Sequence, residues 1–435
     1  MNQKLDRRRP HRRQVLTLMG SGLAAGATLV AKARAAEDPT LQALIEQNQK
    51  RELGQDFDSA SRTIHMPQAS LPTLSPSTVQ STELAVGKYE NILARGGWPQ
   101  VPPIDRLRLG NRHPSVVLLR KRLIIAGDLE ARAGESDIFD SYVEAAVRRF
   151  QARHGITIDG VVRKETFDRL NIPCTVRLSQ LKTNVGRLRE ATAHLPSRFV
   201  MVNIPAAQVE AVENGVAVSR HTAVVGKPDR PSPELSVKII EINFNPYWTV
   251  PVSIVRRDLI PVMQKDPDYL KNEHIRIFDM HGKELDPRQI NWNSDEAVNY
   301  RFKQDPGSFN SLGSVRINLP NKDGVYMHDT PEKGLFGEDM RFHSSGCVRV
   351  QNVRELVDWL LRDTPGWGRE KIDAAFKSGD RIDAKLARPV PVRWVYVTAW
   401  ATPDGVVQFR DDIYNHDGLG QTPRASKAEA ALRKR

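Results

Sequence analysis

Cysteine is nearly absent from this 435-residue chain, which has only two, Cys174 and Cys347. A protein of this length builds its cores without staples, so nothing requires a disulfide framework. Long apolar runs are also scarce. The stretch from Val15 to Ala31 comes nearest to a membrane span, and its glycines make it a poor one. The body of the chain also lacks an excess of charge of either sign. The formal net charge is +12, yet residues 1–35 hold eight Lys/Arg against one Asp, and the last twelve residues hold five against one Glu, leaving the rest near +1. Such a body presents no field for a phosphate backbone, and nucleic acid is not expected as a partner.

The ends themselves are specific. Residues 1–35 have an Arg-rich start, the apolar stretch and the small-residue triplet Ala33-Arg34-Ala35, the pattern of a cleaved export signal. Arg12-Arg13, followed by Gln14, Val15 and Leu16, resembles a twin-arginine signal. A retained membrane anchor is the alternative, disfavoured by the short run. The mature chain is then expected outside the cytoplasmic membrane with no permanent span. A basic tail over 419–435 reads as disordered.

Between the ends, 36–105 reads as an N-terminal helical and linker segment: a short polar helix, a Pro/Ser/Thr loop from Pro67 to Thr82, and a helix that stops at Gly96-Gly97. Residues 106–172 form a small helical domain. Val116, Leu119, Leu123 and Ile124 share one helical face, Val143, Val147 and Phe150 another, and a third helix starts near Lys164. From 195 to 385 the texture becomes β-rich, as in "RFVMVNIP", "VAVSRHTAVVG", "SVKIIEINF", "GSVRINLP" and "GVYMHDT". A polar, partly helical insertion over about 251–307 interrupts these strands. "QNVRELVDWLLRD" after the second cysteine is an amphipathic helix, and 386–418 holds a hairpin around Asp404-Gly405. The fold class is multidomain α+β.

Cys347 sits in "HSSGCVRV", with His343 four residues before it, Arg349 two after it, and His328 at the end of a strand upstream. A nucleophilic thiol needs a base and donors for the developing oxyanion. With a pKa near 8.5 only about 3% of a free thiol is ionised at neutral pH. His328 and His343 are candidate bases. The Ser344-Ser345-Gly346 run is a turn whose N–H groups can face a carbonyl oxygen, and Arg349 can hold a carboxylate. A zinc site from His328, His343 and Cys347 fails on spacing, so no metal or other cofactor is expected.

"HDT" followed by "SSGCVRV" resembles the catalytic motif of the L,D-transpeptidases. The resemblance extends through "NPYWTVPVSIVRRDLIP", "LGSVRINLPN" and "FRDDIY" to the large, periplasmic, multidomain branch of that family. The three helices around "AVRRFQARHGITIDGVV" resemble the peptidoglycan-binding domain attached to bacterial wall enzymes. It implies a β-sandwich-like catalytic domain, a lid made by the insertion, and a periplasmic location. Cys347 would be the nucleophile, His328 the proton acceptor and donor, and Gly346, Ser345, Ser344 and Arg349 the oxyanion and substrate groups. Asp329 is the orienting candidate, through its carbonyl or its carboxylate.

The implied partners are peptidoglycan stem peptides, a donor tetrapeptide and a diaminopimelate acceptor. The implied product is a 3-to-3 crosslink made through a thioester. An L,D-carboxypeptidase and an attachment enzyme for wall proteins use the same thioester. A non-catalytic wall-binding protein is the alternative from another class.

Overall fold

The structure is a computed structural model and describes residues 71–419. The expected export signal, the polar helix after it and nearly all of the basic tail lie outside those residues. Among the described residues no helix is long and apolar enough to cross a membrane.

Helix α1 covers Pro76–Ala94. The expectation of a loop as far as Thr82 is therefore wrong. Ser75 is an N-cap whose hydroxyl accepts from the Thr78 N–H at 3.1 Å, and Pro76 stands where a missing N–H costs nothing. Just before the helix, Thr73 donates its N–H and its hydroxyl to Glu210, each at 2.9 Å.

Helices α2 (Pro114–Ala126), α3 (Ser141–Arg153) and α4 (Lys164–Leu170) enclose a core of Val116, Leu119, Leu123, Val143, Val147, Phe150, Phe167 and Leu170. Asp140 caps α3 by accepting from the Val143 N–H, and the left-handed Gly127 ends α2. Helix α5, Cys174–Thr192, occupies a stretch the sequence reading left unassigned. Its buried Leu178, Leu181, Val185 and Leu188 recur at helical spacing, and it packs on α1 and on the C-terminal hairpin.

The β-rich half is built on one nine-stranded sheet. Its strands are β1 (Arg198–Asn203), β2 (Gln208–Glu213), β3 (Val216–Gly226), β4 (Leu235–Phe244), β9 (Val315–Asn318), β10 (Met327–His328), β11 (Phe342–Ser344), β12 (Val348–Val350) and β13 (Ile382–Val395), in the order β11-β3-β12-β10-β9-β4-β13-β1-β2. Strand β2 also pairs with β3, so the sheet returns on itself. Two inward faces therefore oppose one another in the manner of a sandwich, filled by Val200, Val202, Ile242, Phe244, Ile317, Met327, Val348 and Trp394. Helices α6 (Val353–Leu361) and α7 (Arg369–Ser378) join that core through Val353, Leu356, Val357, Leu360, Leu361, Ile372 and Ala375. The boundary expected at 385/386 falls inside β13, which pairs with β4 from Ile382 and with β1 as far as Val395.

The insertion is a subdomain with its own sheet, β5 (Trp248–Thr249), β6 (Ile275–Phe278), β7 (Glu284–Leu285) and β8 (Arg301–Gln304), in the order β5-β8-β6-β7. Val250, Val255, Leu259, Leu270, Ile277 and Phe302 fill its core. A helical stretch over 252–263 enters it and contains a π turn at Val255–Leu259. Beyond β13, β14 (Ala399–Ala401) and β15 (Val407–Phe409) form the expected hairpin.

Candidate active site

The site is assembled by a parallel pair. Strand β10 lies beside β12 with Met327 opposite Val348 and His328 opposite Arg349, which brings the two halves of the motif together. Cys347 stands immediately before β12, half-buried, and a short strand intervenes before α6. Its backbone is set by a turn. Ser344, itself buried, donates its hydroxyl to the Cys347 carbonyl at 2.5 Å and accepts from the Gly346 N–H at 3.1 Å. Gly346 has φ +112°, a region that side chains resist, and a methyl there would meet the Pro231 carbonyl and Val325 at 3.4 Å each.

Burial is the largest influence on the Cys347 thiol and pushes its pKa up to about 11. Opposing it are donors: the backbone N–H and the hydroxyl of Tyr326, with Arg316 and Arg349 acting at longer range. Tyr326 is a site residue the sequence reading missed. It and His328 are two positions apart and so project to the same side of the chain, with ring centroids 5.6 Å apart. Its hydroxyl meets the sulfur and also accepts from Trp248 of the insertion. Arg316, opposite His328 on β9, lies with its guanidinium carbon 4.7 Å from the Tyr326 ring centre.

His328 is buried, and burial followed by the Arg349 charge depresses its pKa to about 3. At neutral pH the ring is therefore uncharged and able to accept a proton. The backbone and carboxylate of Asp329 favour the protonated ring, more weakly. No group among the described residues satisfies its Nδ1 atom. The Asp329 carboxylate is engaged elsewhere: it accepts from the Ser314 N–H at 3.1 Å and hydroxyl at 2.8 Å, and pairs with Lys333.

The other expected groups sort cleanly. Ser345 is exposed, and its hydroxyl accepts from Arg230 at 3.0 Å. Arg349 pairs with Glu332. His343 turns outward to Glu338 at 2.8 Å and the Met340 carbonyl at 2.6 Å, so it is not brought to the sulfur. Cys174 is unpaired and remote from this site, buried in the cluster of Tyr89, Leu181 and Phe409.

Residues 197–372 match the family described as L,D-transpeptidase catalytic domain, and 112–170 match the one described as "Putative peptidoglycan binding domain". The chain carries an L,D-transpeptidase catalytic domain. A protein of Haemophilus influenzae named "Putative L,D-transpeptidase" is 34% identical over 219 residues, 50% of this chain and 44% of that one. The chain thus spans less than half the length of this curated relative. Among solved structures, an L,D-transpeptidase from Xylanimonas cellulosilytica is 16% identical, covering 67% of this chain and 98% of that chain at a TM-score of 0.22. One from Stackebrandtia nassauensis is 13% identical, covering 67% and 96% at 0.26. Within the L,D-transpeptidase domain the insertion is the largest interruption, running from β5 to β8 between two strands of the main sheet.

Proposed function

We propose that this chain is a cysteine-dependent L,D-transpeptidase of the bacterial wall, exported to the periplasm through a twin-arginine-type signal. The observation that carries the reading is the sulfur of Cys347 held among hydrogen-bond donors, immediately before a strand paired with one that ends in a neutral, buried imidazole. His328 takes the thiol proton as the sulfur attacks the carbonyl between the third and fourth residues of a donor tetrapeptide. The oxyanion forms against the Cys347 N–H. The Gly346 N–H is committed to Ser344, so Gly346 serves by its conformation and Ser344 by holding the turn. Collapse breaks the peptide bond, His328 returns the proton to the departing D-alanine amine, and a thioester remains on Cys347.

The side-chain amine of a diaminopimelate in a second stem then attacks the thioester, giving up a proton to His328, and the thiol is released as the 3-to-3 crosslink forms. With its carboxylate occupied by Ser314 and Lys333, Asp329 is left to act on the imidazole through its backbone, which favours the protonated ring. Ser345 and Arg349 line the approach of the stem. The insertion acts as a lid that excludes water and so favours the amine. The helical domain over 106–172 serves the wall as a binding or scaffolding module.

Purified disaccharide-tetrapeptide, incubated with the protein and followed by mass analysis, tests this. Crosslinked dimer with loss of one D-alanine is expected. Tripeptide alone would mean that water resolves the thioester, dimerless transfer to a protein amine would mean attachment, and unchanged substrate would mean a wall-binding protein. Deleting the insertion should raise hydrolysis relative to crosslinking, and an unchanged ratio in a folded variant would remove the lid.

A further inference from the structure

Strand β3 ends at Gly226, and the chain returns to β4 through a loop over 227–234 that lies against the catalytic turn. A methyl on Gly226 would stand 2.4 Å from the Arg230 carbonyl and 2.5 Å from the Ser232 nitrogen, so this close return requires glycine. The fully buried Ser232 hydroxyl accepts from the Gly226 N–H at 2.9 Å and donates to the Gly346 carbonyl at 2.7 Å. In a trans peptide the carbonyl and the following N–H point opposite ways. Ser232 thereby turns the Cys347 N–H away from itself. From the far side the Tyr414 hydroxyl accepts from the Ser232 N–H at 3.2 Å and donates to the Gly226 carbonyl.

The same loop reaches the insertion. Both terminal nitrogens of Arg230 contact the Asp258 carboxylate, with Nη2 2.9 Å from Oδ1. Nη1 also donates to the Ser345 hydroxyl at 3.0 Å. Asp258 belongs to the π turn, a local distortion common at working parts of helices. The arginine side chain is 13% exposed and the aspartate 41%, so the cation is fixed by the loop and the anion belongs to the outer partner. One guanidinium thus holds a residue of the insertion and the residue two before the nucleophile.

We infer that Arg230 is a positioning residue that transmits docking of the insertion to the catalytic turn. When Asp258 leaves, the guanidinium keeps only the more distant Asp229 carboxylate, 3.9 Å from its Nε, and Ser345 loses a fixed donor. The turn over 345–347 then keeps Ser232 and Ser344 but no link to the insertion. Bidentate geometry makes the contact directional, which a lysine would not reproduce. The consequence for turnover rests on the transpeptidase reading above; the coupling itself does not.

Asp258→Asn, Ser345→Ala, Arg230→Met and Arg230→Lys in the full chain test it through two readouts. One is hydrogen exchange at 252–263 and 345–347, and the other is the single-turnover rate of Cys347 acylation by a carbapenem. Asp258→Asn should raise exchange in both segments and slow acylation on the order of tenfold, with kcat for the donor falling more than KM rises. Ser345→Ala should slow acylation while leaving 252–263 protected. Arg230→Met should match or exceed Asp258→Asn, and Arg230→Lys should fall between it and the parent. Loosening of 252–263 by Asp258→Asn with exchange at 345–347 and acylation both unchanged would overturn the coupling, making the pair a tether only. If acylation is absent in every protein including the parent, the proposed chemistry fails, and the exchange pattern alone still decides the coupling.

Discussion

The two cysteines have the same side chain in two kinds of apolar surroundings, and burial raises both pKa values. What separates them is the polarity of their hydrogen bonds. The Cys174 thiol faces an acceptor, the Tyr89 carbonyl at 3.8 Å, which favours the protonated form. Cys347 faces donors, the N–H and hydroxyl of Tyr326, with two arginines behind them. Burial alone makes a thiol inert. Burial among donors makes one that ionises as a bond to carbon forms, because the groups that receive the negative charge are already in place.

The largest effect should come from removing the proposed nucleophile or the proposed base. Cys347→Ala and His328→Ala are each expected to abolish tetrapeptide turnover in a folded protein, and Cys347→Ser to be almost as inactive, since a hydroxyl gives up its proton far less readily. Circular dichroism with product analysis checks both halves. Tyr326→Phe comes next: losing one donor at the sulfur should slow acylation by about ten- to a hundredfold with little change in thermal midpoint. An acylation rate equal to the parent's would remove Tyr326 from the contrast.

The pH dependence sharpens it further. The Cys347 pKa is raised to about 11 and that of His328 lowered to about 3, so at neutral pH the resting pair is thiol and neutral imidazole, not an ion pair. Alkylation of Cys347 by iodoacetamide should climb about tenfold per pH unit from 7 to 10. A plateau between pH 6 and 8 would indicate a preformed thiolate. The smallest effect belongs to Cys174→Ala, which should leave turnover unchanged and cost about 1 kcal/mol of stability from lost packing, read by denaturant unfolding.

Much of this site was legible in the chain because its parts are local. His328 and Cys347 fall in one short motif, and the turn of Ser344, Ser345 and Gly346 announces itself by composition. Tyr326 was equally legible from its spacing to His328 and was passed over. Arg316, Arg230 and Ser232 were not, because only the register of β9 on β10 and the fold-back at Gly226 bring them to a cysteine up to 117 residues away. Helix α5 carried its period in Leu178, Leu181, Val185 and Leu188. The strands of the insertion are two to four residues long, too short to show alternation amid polar neighbours. Closure of the main sheet through β2 and β3 was also hidden, since β2 lies between two runs that read as a single hairpin.

Which thiol carries the acyl group tests the central claim most directly. The protein, treated with a carbapenem, digested without reductant and mapped by mass spectrometry, should show one adduct per chain, on the peptide containing Cys347, with Cys174 recovered as a free thiol. An adduct on Cys174, or a linked Cys174–Cys347 peptide, would contradict the account.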